Sequence, residues 1–89
     1  MKDVINMEKE ISINIINKVQ KCIHKISIVK AGTDYRVVAA NERAINHYLR
    51  NYSYEQRLEL LKIMFWYTGY DNARGLKLLK EMGWQINYD

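Results

Sequence analysis

Apolar residues recur at helical spacing along most of this 89-residue chain. From residue 3 to about 23, Val4, Ile11, Ile15, Val19 and Cys22 follow the helical period, widened by Ile5, Ile16 and Ile23. Asp3, Glu8 and Glu10 sit early and Lys18, Lys21 and Lys25 late, the polarity a helix dipole favours. An amphipathic N-terminal helix is predicted, with Ile13 left on its polar side.

The pattern changes between about 25 and 40. Ile26-Ser-Ile-Val29 and Tyr35-Arg-Val-Val-Ala39 are rich in β-branched residues, and the turn-like Lys30-Ala-Gly-Thr-Asp34 separates them. A β-hairpin is the favoured reading. The alternative extends the first helix to Ala31, stops it at Gly32 and opens another near Thr33, giving an all-α four-helix bundle. Glu42 tips the choice, because a helix over 34–52 would set it beside a buried stripe of Val38, Ile45, Leu49 and Tyr52. With Asn41 as N-cap, Glu42 lies instead in a favourable first turn.

Three helices are then expected, over about 41–51, 54–68 and 71–82. Asn41 caps the first. Ser53-Tyr-Glu-Gln56 is a capping box opening the second, which ends at Gly69. Asp71 caps the third, which buries Leu76, Leu79 and Met82 and closes at Gly83. The fold expected is mostly helical α+β in a single domain over 1–89. No linker or repeat divides the chain, and proline is absent.

The block Met64-Phe65-Trp66-Tyr67 resists this scheme, since four consecutive large side chains point around most of a helix. Seven of the ten aromatics lie between Tyr48 and Tyr70. Leu58, Leu61, Met64 and Phe65 form one side, read as the core face, with Leu60 at its edge. Ile63, Trp66 and Tyr70 recur on the other side, beside Glu59 and Lys62. That second stripe is either a second packed face or the anchor of a binding site, where Trp and Tyr dominate.

Charge adds rows of cations. The net charge is +4 and the pI about 9.2, which admits acidic protein or nucleic acid as partner. Arg43, His47 and Arg50 share one helix face, and an earlier helix start would add Arg36. Lys18, Lys21 and Lys25 make a second row, and Arg74, Lys77 and Lys80 a third. Each row suits phosphates or carboxylates, or is simply a solvated face. No zinc-finger spacing, glycine-rich KH loop or RNP motif accompanies them. The helix–turn–helix shape of 53–83 offers only Asn72 and Arg74 to base edges.

Catalytic chemistry is poorly represented. Cys22 and His24 share no helix face, His47 is distant, and no metal pattern, phosphate loop or nucleophile elbow is present. No enzyme activity, cofactor or metal is expected. The lone cysteine and the missing basic flank of a signal peptide suggest a cytoplasmic setting, and no run approaches the roughly 18 apolar residues of a membrane span. A small protein–protein interaction module fits best, of the phage-type inhibitor or adaptor kind, a source the Ile-, Lys- and Asn-rich composition suits. Ile63, Trp66 and Tyr70 would anchor an acidic host surface, and Arg43, His47 and Arg50 would steer it in. The alternatives are nucleic-acid binding through the basic rows, and a homodimer burying the aromatic stripe.

Overall fold

The computed structural model describes residues 9–29, 34–66 and 72–88. In order they form β1 (Glu10–Ser12), α1 (Ile13–Ser27), α2 (Tyr35–Tyr48), α3 (Tyr54–Trp66), α4 (Asn72–Glu81) and β2 (Gln85–Asn87). The mostly helical α+β expectation holds. The strands, however, are not a hairpin over 25–40.

β1 and β2 pair in parallel, Glu10 facing Gln85, Ile11 facing Ile86 and Ser12 facing Asn87. A parallel pair needs a long crossover. All four helices supply it.

α1, α2 and α3 each begin where a short side chain satisfies free backbone N–H groups. Ser12 ends β1 and caps α1, its hydroxyl accepting from the Asn14 N–H at 3.0 Å. Ile11 therefore lies in a strand, and α1 starts ten residues later than the amphipathic pattern suggested. The Val4 and Ile5 positions fall outside the described residues. Asp34 caps α2 through the Arg36 N–H, so the segment read as the second hairpin strand is helical. Asn41 is no cap. It sits inside α2, its Nδ2 donating to the Val37 carbonyl at 2.8 Å. Glu42 avoids the burial penalty that favoured a hairpin because it is exposed at the edge of α2.

The capping box of α3 is formed as expected. Gln56 N–H donates to Ser53 Oγ at 3.1 Å, and Ser53 N–H to Gln56 Oε1 at 3.0 Å. The expected Asp71 cap and Gly69 stop lie outside the described residues. Gly83 ends α4 at φ 98°. Trp84 N–H returns to the Leu79 carbonyl and Gly83 N–H to Lys80, the paired bonds of a Schellman motif.

α1 packs chiefly on α2, α3 on α4, and α1 also on α3. Ile11, Ile16, Val19, Ile23, Ile45, Leu49, Leu60, Met64, Leu79, Trp84 and Ile86 are buried between them, with Cys22 at the margin. Ile13, unplaced by helical periodicity, packs half-buried against this core. At the sheet end, Lys9 Nζ donates to the Met82 carbonyl at 2.9 Å and meets Glu59 Oε1 at 3.2 Å. Tyr52 OH donates to the Glu10 carbonyl at 2.6 Å, and its ring lies 5.7 Å from that of Trp84. These bonds fix the loop between α2 and α3 and the middle of α3 to the sheet.

Candidate functional site

The aromatic helix α3 divides differently from the sequence reading. Its core face is Leu60 and Met64, flanked by half-buried Leu61 and Ile63. Leu58 and Phe65, assigned above to the core, are 50% and 53% exposed. The reason lies in packing geometry. α3 packs on α1 and α4 and little on α2, so the face of α3 that shares the hollows with α2 stays uncovered.

That side carries Tyr54, Leu58, Leu61 and Phe65 at i, i+4, i+7 and i+11, a line along one helix face. Two adjoining hollows open beside it. One, of about 320 Å³, is lined by Ile26, Glu42, Ile45, Asn46, Leu61 and Phe65. The other, of about 150 Å³, is lined by Asn46, Tyr54, Arg57, Leu58 and Leu61. Sharing Asn46 and Leu61, they form one trough between α2 and α3. The sequence reading singled out neither Tyr54 nor Arg57. The i, i+4, i+7, i+11 spacing was the signal for the former. Arg57 carried none.

Of the proposed anchor, Ile63 packs against the core, Trp66 is 76% exposed, and Tyr70 lies outside the described residues. The stripe is thus split, its middle residue free and its first covered. Glu59, expected to resist burial, is half-buried and satisfied. It accepts from Trp84 Nε1 at 3.0 Å and pairs with Lys9. The indole hydrogen bond, then Lys9, hold its carboxyl below the ordinary range against the opposing effect of burial.

Arg36, Arg43 and His47 are exposed along one side of α2, and exposed Arg50 follows in the turn after it. Arg43 and His47 are one residue on from Glu42 and Asn46, hence about 100° further round the helix from the trough edge. Arg50 Nη1 donates to the His47 carbonyl at 2.7 Å, which holds its guanidinium over the end of α2. Lys18, Lys21 and Lys25 are exposed on α1, and Lys18 lies 5.6 Å from the Tyr48 ring centre. Arg74, Lys77 and Lys80 are exposed on α4, with Lys80 over Tyr88. The fold therefore keeps the three rows on three separate helices.

Cys22 is buried and His24 exposed, and no cluster of three metal-ligating side chains occurs among the described residues. No described helix is long and apolar enough to cross a membrane. No family model, curated protein or solved structure matches the chain.

Proposed function

We propose that this protein is a small non-enzymatic interaction module, an inhibitor or adaptor acting in the cytoplasm, that binds an acidic surface of another protein. The observation that carries the reading is the uncovered apolar line Tyr54–Leu58–Phe65 on a helix whose core face is elsewhere. Scattered apolar residues are ordinary on a surface, but a contiguous line beside a trough marks an interaction site. Trp66 adds a second exposed anchor around the helix. Arg43, His47 and Arg50, on the neighbouring strip of α2, supply the long-range attraction that raises association rates with an acidic partner. Ile63, packed against the core, supports this helix from within.

The test compares the full chain as bait with a Leu58→Glu, Phe65→Glu variant whose circular dichroism and melting are unchanged. A host protein captured by the first, lost with the second and released by salt supports the reading. Capture indifferent to both substitutions and to Trp66→Glu sinks it.

Nucleic-acid binding is the competing reading, supported by the exposure of all nine cations in the three rows. Titration of labelled DNA and RNA at two salt concentrations distinguishes it. A steep fall in affinity with salt, weakened further in Arg43→Ala, Arg50→Ala, favours that alternative. A homodimer through the same apolar line is the third, and light scattering over a concentration series decides it.

A further inference from the structure

We infer that the trough between α2 and α3 receives an amphipathic helix of the partner, with an acidic side chain of that helix paired to Arg57. The inference rests on the interaction-module reading and names what the site would hold. Three observations carry it.

The first is shape. The apolar line from Tyr54 to Phe65 spans eleven residue steps, about 16 Å or three turns. An apolar line of that length, beside hollows lined by Ile26, Ile45, Leu61 and Phe65, matches a helix presenting apolar residues every three or four positions. The two consecutive helices that flank it pack little on each other, which leaves room between them for a third.

The second is a cation in the lining. The Nε atom of Arg57 is removed from solvent and has no hydrogen-bond partner among the described residues. Arg57 lines the trough beside Tyr54, Leu58 and Asn46. With Nε itself shielded, a carboxylate in the trough meets the guanidinium through its Nη groups, and the positive charge of Arg57 in a largely apolar lining favours such a partner. Asn46, shared by both hollows, offers a further polar contact at the centre.

The third is the distribution of charge. Arg57 stands at the Tyr54 end, and Arg43, His47 and Arg50 line the adjoining strip of α2. Glu42 lies at the opposite end, beside Phe65, and places the acidic residue of the incoming helix at the Tyr54–Arg57 end.

The probe is a yeast-displayed library of amphipathic helices about 16 residues long, with leucine fixed on one face and the flanking positions randomised. It is sorted on the full-length chain. Enriched helices should carry Asp or Glu on one flank. Their affinity should fall about tenfold in Arg57→Gln, recover in part in Arg57→Lys, and be lost in Leu58→Glu. Binding should shift the emission of exposed Trp66 without changing the melting behaviour of the free variants. Helices lost in Leu58→Glu but without acidic bias, or indifferent to Arg57→Gln, overturn the Arg57 pairing and leave the interaction-module reading intact. Recovery of no helices overturns the helical occupant, and the capture experiment then decides the broader reading alone. Self-association abolished by Leu58→Glu overturns the inference in favour of a second copy in the trough.

Discussion

Trp84 and Glu59, 25 residues apart, are joined by a 3.0 Å hydrogen bond from the indole Nε1–H to the carboxylate Oε1. The bond links the residue that follows α4 to the middle of α3. It also lets a buried indole keep a polar partner, as Trp requires inside a core.

Because Glu59 is held below its ordinary value of 4.5, the folded state binds its proton less tightly than the unfolded state. The stability it contributes is therefore present above that value and is lost as pH falls through the lowered one. Urea titrations from pH 7 to pH 3 should show acid destabilisation that is reduced in Glu59→Gln. The effect at neutral pH should be below about 1 kcal/mol, since both members of the Lys9–Glu59 pair are about a third exposed.

Tyr52 gives the opposite dependence. Burial, then the charge of Glu10, push its phenol up from 10.0, so its stabilising effect persists at neutral pH and is lost in alkali as pH rises through the raised value. Tyr52→Phe should lower stability by about 0.5–1.5 kcal/mol through loss of the bond to the Glu10 carbonyl. The same substitution should flatten the alkaline limb of the melting profile.

Gly83→Ala should cost about 1 kcal/mol, a fall in melting temperature of about 4–8 °C. The added Cβ meets only Lys9 Cδ at 3.7 Å, an ordinary contact. The cost is torsional, from the positive φ that ends α4. Calorimetry of the variant, whose structure should be unchanged, measures it.

Met64 and Trp66 should separate cleanly by chemical denaturation. Met64 is 1% exposed, and Met64→Ala should cost about 2–5 kcal/mol. Trp66→Ala should stay within about 0.5 kcal/mol despite removing the larger side chain. A large loss from Trp66→Ala would return that residue to the core and remove it from any interface.

Ser53→Ala removes one half of the capping box and should lower stability by about 1 kcal/mol, read in the same denaturation series.

Helix caps and closures were legible where one side chain decides them locally, as at Ser53 and Gly83. Ser12 was equally local, and the alternation of Ile11, Ile13 and Ile15 around it was the strand-like signal, outweighed by the longer helical period. β-branched residues at 35–39 misled because tertiary packing overrides strand propensity. Asp34 was present to cap a helix there. The face of α3 could not be read, since apolar residues surround it and only the placement of α2 decides which of them solvent reaches. Leu58 and Phe65 became candidate contacts for that reason alone. The parallel pairing of Gln85–Asn87 with Glu10–Ser12 joins segments with no local relation, and no pattern in either announced it.

That pairing also closes a long loop of chain. The helices form from neighbouring residues, whereas β1 meets β2 only after about 75 residues have been brought into place, a closure whose entropic cost precedes its reward. Because Ile11, Ile86 and Trp84 complete the core there, removing either three-residue strand strips the core of both strands' buried side chains at once.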